Sequence, residues 1–286
     1  MPGMGKVLNK PFLKWAGGKS QIAGMIAAHA PRTAFRLVEP FVGSASFALN
    51  VNGASGHLLA DVNPDLIGLY RSLIAGGNDF VGECRSLFVP GNNTREAYDR
   101  LRDEFNSSSD ERRRACLFVY LNRHCFNGLM RYNSSGMFNT PFGRYRSPSL
   151  PENSMRRFLI ILGNARFVLS DFRPVMSMAG AGDFVYCDPP YVPVGDTGFT
   201  AYSKGGFSLD DHRDLAGLCR EASGRGATVV VSNHDAPWIR DLYVGASIRE
   251  LKVKRTIGGK DVTRVAADEL LAVYSGTGQA EDIFGD

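Results

Sequence analysis

Short apolar or β-branched runs, spaced by helical stretches, constrain this chain more than any other feature of it. The runs are Arg36 to Glu39, His57 to Val62, Ala165 to Ser170, Asp183 to Cys187 and Ala227 to Ser232, each closed by polar or glycine-containing residues. Their length and composition are those of strands. Between several of them lie helical patterns; Ser208 to Gly226, for example, puts Leu209, His212, Leu215, Leu218 and Cys219 on one side. This alternation predicts an α/β fold with a doubly wound parallel sheet. The end of the chain differs: Ser247 to Ile257 and Asp268 to Ser275 flank Gly258-Gly259-Lys260-Asp261, which predicts an antiparallel hairpin closing one edge of the sheet.

The stretch 63–150 breaks the rhythm. Leu66 to Ala75, Arg95 to Phe105 and Arg112 to Asn122 are helix-like and strand patterns are missing, so this segment reads as an inserted helical module, with 1–62 and 151–286 forming the main domain. Between Lys19 and Lys204 there is no lysine; the cations there are arginines, including Arg112, Arg113, Arg114, Arg123, Arg131 and Arg144. Arginine's planar fork suits bidentate contacts to phosphate and guanine, and a solvated helix face in a GC-rich genome explains the same bias. Residues 123–145 interleave aromatics and arginines with turn formers, a composition suited to stacking on bases and pairing with phosphates.

With 44% hydrophobic and 22% charged residues, disorder and fibres are excluded as descriptions of the chain. No apolar run approaches the ~18 residues of a membrane span, and the first residues lack the apolar core of a signal peptide. The expected compartment is the cytoplasm. The five cysteines are widely spaced, with no C-x-x-C pair and no histidine at ligand spacing, so free thiols and no metal site are expected. A net charge of +4 is compatible with a polyanionic partner without requiring one.

Asp188-Pro189-Pro190-Tyr191 follows the strand Phe184 to Cys187, and ligands of open α/β sheets bind at that mouth. An exocyclic amine such as N6 of adenine is a poor nucleophile, because its lone pair is delocalised into the ring. Two acceptors on its N–H bonds restore electron density: the Asp188 carboxylate and the Pro189 carbonyl, held outward by two prolines of fixed φ. Tyr191 can stack on the base. A plain strand-ending turn is the competing reading. Glu39-Pro40-Phe41-Val42-Gly43 also follows a strand, and Asp61 ends the next one, as a ribose-binding acid does. Ala45 and Ala48 stand where a dinucleotide fingerprint has its second and third glycines, so a cofactor without phosphate fits better than NAD. Leu13 to Ser20 is no P-loop, since Leu13 stands where that motif needs glycine. Lys14, Trp15, Gly17 and Lys19 instead meet a ligand or DNA from an N-terminal arm, with a Trp15 packed on the sheet as the alternative. The histidines form neither a metal pair nor a triad, and His234 in Ser232-Asn233-His234-Asp235 reads as structural, at a strand end able to line the same mouth.

Taken together, F-L-K-W-A-G-G-K, E-P-F-V-G, A-D-V-N, Y-L-N-R-x-x-F-N-G-L-x-R-Y-N, F-N-T-P-F-G-R-Y, Y-C-D-P-P-Y, F-T-A-Y, S-N-H-D and D-E-L-L-A-V-Y resemble the DNA adenine methyltransferase family, the D12 class of N6-adenine methyltransferases, from about Pro11 to Ser275 and in the family's order. The resemblance implies a Rossmann-like methyltransferase sheet, a helical target-recognition insert, S-adenosylmethionine as methyl donor, double-stranded DNA as partner, base flipping and GATC as the site. It places the flipped adenine on Asp188, Pro189, Pro190 and Tyr191. The cofactor falls to Trp15, Lys19, Glu39, Phe41, Gly43, Asp61, Phe172 and Asp188. Lys14 and Tyr145 resemble readers of the first part of the site, Leu129 and Arg131 readers of its second half. Phe126 stands where the family has a tyrosine wedge, Asn127 beside the orphaned base, and Arg123 and Asn139 complete the DNA-facing set. Ala45 replaces a common glycine and adds one methyl; Phe126 keeps the aromatic face without the hydroxyl. A monomer needing no protein partner is the expected working form. Two alternatives stay open: a catalytically silent DNA-binding homologue, and a methyltransferase of another amine such as RNA adenine.

Overall fold

A computed structural model describes residues 8–15, 19, 22–31, 34–191, 207–257 and 263–276. Gly17, the F-T-A-Y motif at 199–202, the expected hairpin turn at 258–261 and the acidic tail from 279 lie outside the described residues. The described elements are α1 (Ala23–Ala27), β1 (Ala34–Glu39), β2 (Ala54–Asp61), α2 (Pro64–Ser86), α3 (Arg95–Ser107), α4 (Glu111–His124), α5 (Glu152–Leu162), β3 (Arg166–Leu169), α6 (Phe172–Ser177), β4 (Asp183–Cys187), α7 (Leu209–Gly224), β5 (Thr228–His234), α8 (Pro237–Leu242), β6 (Ser247–Ile257) and β7 (Thr263–Tyr274). One seven-stranded sheet runs in the order β3-β2-β1-β4-β5-β7-β6, the expected Rossmann-like α/β sheet.

The central strands explain themselves. Phe184, Val185, Tyr186 and Cys187 of β4, and Val229, Val230 and Val231 of β5, are buried, as parallel strands covered on both faces must be. β1 pairs parallel with β2 through Val38 opposite Leu58 and with β4 through Val38 opposite Val185. β5 pairs parallel with β4 through Val229 opposite Val185. β7 then reverses direction beside β5, with Ala272 opposite Val231, and β6 lies antiparallel outside it. From β1 the chain goes first to β2 on one side and later to β4 on the other, so the switch in strand order falls between β1 and β4. Their carboxyl ends carry Glu39 and Asp188.

The chain divides into two compact units. One comprises Met1–Ala23, Val42–Val51 and Asp61–Leu169, the other Gly24–Phe41, Asn52–Ala60 and Ser170–Asp286. In the first unit, side chains of Asn63, Thr94 and Asp110 cap α2, α3 and α4 by accepting from the Leu66, Ala97 and Arg113 amides, satisfying amides that helix starts leave without partners. Phe12, Tyr70, Phe158 and Phe167 cluster there with centroids 4.7–6.1 Å apart. All five cysteines are free and buried. Among the described residues no helix is long and apolar enough to cross a membrane.

Candidate functional site

In the second unit, β4 delivers Asp188 to the sheet mouth. The Ser232 hydroxyl, at the end of neighbouring β5, stands 3.0 Å from Asp188 Oδ1 and donates to it. The Tyr186 hydroxyl, 2.9 Å from Ser232 Oγ, donates in turn. Burial, then the nearby Asp188 charge, pushes the Tyr186 phenol well above its ordinary range, so it remains a donor. Two hydroxyls in series therefore hold the carboxylate in one rotamer. Pro189 is buried and Pro190 exposed.

From Tyr191 a chain of rings runs through the same unit. Tyr191 lies 5.8 Å from His234, His234 5.8 Å from Trp238, and Trp238 5.9 Å from His212. His212 meets Phe207 edge-on at 4.6 Å, and Phe207 touches both members of the Phe41–Phe172 pair, stacked at 5.5 Å. The expected aromatic cofactor residues Phe41 and Phe172 thus belong to one apolar wall that continues to the D-P-P-Y tyrosine. Glu39 is buried beside Phe41 in sequence, 2% exposed.

In the first unit, Gly43 is clamped at both ends. Its amide donates to Asp61 Oδ2 at 3.1 Å and its carbonyl accepts from the Tyr70 hydroxyl at 2.6 Å. Its φ is +46°, and a Cβ there would stand 3.0 Å from Trp15 Nε1, so both conformation and space require glycine. Asp61 Oδ1 accepts from the Asn63 amide at 3.0 Å. Burial raises the Asp61 carboxyl against the lowering effect of these amides. Ala45 also has a left-handed φ, +58°, a conformation that glycine adopts without strain and alanine does not. Ala45 and Ala48 are fully buried. Lys19 is buried, 9% exposed.

A family model described as D12 class N6 adenine-specific DNA methyltransferase matches residues 15–257. The chain belongs to that family. Its similarity to named relatives runs almost end to end. The DNA adenine methylase of Serratia marcescens is 45% identical over 268 residues, covering 93% of this chain and 98% of the relative. That of Escherichia coli strain K12 is 44% identical over 267 residues, covering 93% and 95%, and that of Vibrio cholerae strain N16961 is 42% identical over 268 residues, covering 93% and 96%. The chain is an enzyme, a DNA adenine methyltransferase of the D12 class.

The DNA-facing candidates of this methyltransferase group in the first unit. Lys14 Nζ sits 3.9 Å from the Tyr145 ring centroid, and the Tyr145 hydroxyl accepts from the Asn127 amide at 2.9 Å. Burial, then Arg123, lowers the Lys14 ammonium, while Cys125 raises it. Asn127 takes a left-handed φ of +54°. Phe126 is 54% and Leu129 45% exposed, so both are accessible for insertion into a base stack. Arg131 Nε donates to Asn139 Oδ1 at 2.9 Å, and Arg123 is half-buried.

The arginine run at the start of α4 does something other than expected. Arg112 pairs with Glu83, Arg113 with Glu104 and Arg114 with Asp65, so these forks staple helices and are not free for phosphate. Sequence reasoning missed Ser232, Tyr70, Tyr186 and Asn122. Ser232 could have been found, since S-N-H-D ends a strand level with D-P-P-Y. Tyr186 and Asn122 stand inside the Y-C-D-P-P-Y and Y-L-N-R motifs, but nothing in the sequence marks their roles or that of Tyr70, which depend on residues distant in the chain.

Proposed function

We propose that this D12 enzyme transfers the methyl of S-adenosylmethionine to N6 of an adenine flipped out of duplex DNA, at GATC. The Asp188–Ser232–Tyr186 chain carries the reading: a carboxylate held in a single rotamer at the sheet mouth, with a proline carbonyl and an aromatic side chain following in sequence, is what an aromatic amine needs to become nucleophilic.

Each unit holds residues whose chemistry fits this cofactor. The Asp61 carboxylate retains acceptor capacity for ribose hydroxyls, the Phe41–Phe172 wall suits an adenine ring, Gly43 and Trp15 shape the loop, and Lys19 and Glu39 are charged groups for the amino-acid end. Ala45 and Ala48 stand where a dinucleotide fingerprint has glycines. When bound, the cofactor supplies an electrophilic methyl on sulfur. Asp188 and the Pro189 carbonyl accept the two amine N–H bonds, Tyr191 stacks on the base, and Pro190 keeps the turn rigid. The gain is positional and electrostatic. Extrusion of the base costs a few kcal/mol, offset by Tyr191 and by Phe126 filling the gap, with Asn127 beside the orphaned partner. Segment 63–150 is the recognition module: Lys14 and Tyr145 read the first part of the site, Leu129, Arg131 and Asn139 the second, and Arg123 contacts phosphate. The enzyme works as a cytoplasmic monomer.

Mapping N6-methyladenine on unmethylated plasmid after incubation with protein and S-adenosylmethionine tests this. Modification confined to GATC is the expected result; another adenine sequence would discard the recognition assignments, and none would discard the activity. In Asp188→Ala, kcat is expected to fall by ~10²- to 10³-fold or more, with DNA binding retained.

A further inference from the structure

The Lys14 ammonium can read one base pair only if its flexible stem is held, because four rotatable bonds otherwise spread the charge over many positions. The structure shows what holds it. Asn122, in the last turn of α4, is fully buried. Its Oδ1 accepts from the Lys14 amide at 2.9 Å, and its Nδ2 donates to the Lys14 carbonyl at 2.8 Å and to the Gly128 carbonyl at 3.2 Å. One side chain thus grips both backbone groups of Lys14, as a neighbouring strand would, and ties them to the recognition loop.

Gly128 completes the grip. It has φ +68°, and a Cβ there would stand 2.7 Å from Lys14 Cδ, so the loop backbone lies directly on the lysine stem. The stem then carries Nζ over the Tyr145 ring, and Tyr145 holds the Asn127 amide. The circuit Asn122, Lys14, Tyr145, Asn127, Gly128 closes on itself.

We infer that Asn122 is a positioning residue for site discrimination. It is buried too deeply to touch DNA, and it fixes the reader Lys14 against the loop whose Asn127 is proposed to meet the orphaned base. This rests on the proposed reading of Lys14 as a base reader.

The test compares kcat/KM on a GATC duplex with duplexes altered at the first base pair. Asn122→Asp keeps the size and the acceptor but turns a carboxylate toward the Lys14 and Gly128 carbonyls; Asn122→Ala removes the grip. Each is expected to lower the first-pair discrimination ratio about tenfold or more, with the Kd for S-adenosylmethionine within about twofold of the parent protein. Lys14→Ala should lose the same discrimination, and Lys14→Ala/Asn122→Ala no more than Lys14→Ala alone, because the two act as one unit. Unchanged discrimination in a folded Asn122 variant, or additive losses in the double variant, overturns the inference. Should the Asn122 variants fail to fold, Gly128→Ala presses on the same stem and must relax the same base pair. If methylation mapping of the parent protein shows a site other than GATC, the proposed specificity fails, while Asn122 is still judged at whichever pair Lys14→Ala relaxes; relaxation at none overturns it.

Discussion

Ser232 shows how the carboxylate proposed for catalysis depends on a neighbour that does no chemistry. Asp188 in water would sample several rotamers, and a base amine placed before it would meet the productive one part of the time. The Ser232 hydroxyl removes that freedom with one charge-assisted hydrogen bond, itself fixed by Tyr186. Ser232→Ala is expected to lower kcat about tenfold, equivalent to ~1.4 kcal/mol of transition-state stabilisation, with KM for DNA little changed. Ser232→Thr, which keeps the hydroxyl on a β-strand residue, should restore most of it. Single-turnover methylation measures this, and an alanine variant at parental kcat would refute the positioning role. At this scale the sequence displays Asp188, Pro189 and Tyr191 openly, because the proposed chemistry asks for those types contiguously. It hides Ser232 and Tyr70, whose partners lie 44 and 27 residues away. It hides φ as well: Ala45 reads as one extra methyl, yet it also holds a left-handed backbone that is strained for a residue with a side chain.

Among the elements, α4 carries the most instructive difference between pattern and structure. Three consecutive arginines look like a phosphate track, but successive residues of a helix point about 100° apart, and each finds a different carboxylate. Arg114 reaches Asp65 at the start of α2 at 2.6 Å, and Asp65 Oδ2 accepts from the Tyr132 hydroxyl at 2.8 Å. Arg114 and Asp65 side chains are 27% and 10% exposed, so losing the arginine strands a nearly buried carboxylate. Arg114→Ala is expected to destabilise the fold by about 3 kcal/mol. Arg113→Ala, whose partners are 37% and 35% exposed, should cost under about 1 kcal/mol. Urea unfolding of the two variants decides between staple and solvated face; equal, small losses would favour the latter. The strands were legible from their apolar runs, and α2, α3, α4 and α7 from their helical patterns. The pairing of strands across the chain, and the placement of α5 and β3 in the same unit as α2 to α4, were not, because contacts that distant leave no periodic trace.

The molecule as a whole has one buried histidine in each compact unit whose pKa is held far down. His124, in the first unit, is pushed to about 4 by burial, with Lys14 and Arg123 adding to the shift and the Tyr120 carbonyl opposing it. His212, in the second, is pushed to about 4 by burial and by His234, against Asp211 and the Pro190 carbonyl. An unfolded chain titrates these rings near 6.5. Below that pH the unfolded state binds protons that the folded state refuses, so stability is full above about 6.5 and falls as pH drops toward about 4, by roughly 3 kcal/mol per histidine at most. Carboxylates such as Asp211 act lower: burial raises it, but the Ser208 amide and Arg173 outweigh that and hold it at about 2. The two tryptophans let the units be read separately, since Trp15 belongs to the first and Trp238, beside His212, to the second. In a protein retaining only Trp15, His124→Phe should flatten the loss of stability between pH 6.5 and 4.5. In one retaining only Trp238, His212→Phe should do so. If each substitution flattens both probes equally, the units unfold as one cooperative body. A stability that stays level across this range in the unsubstituted protein would mean that neither ring is held neutral.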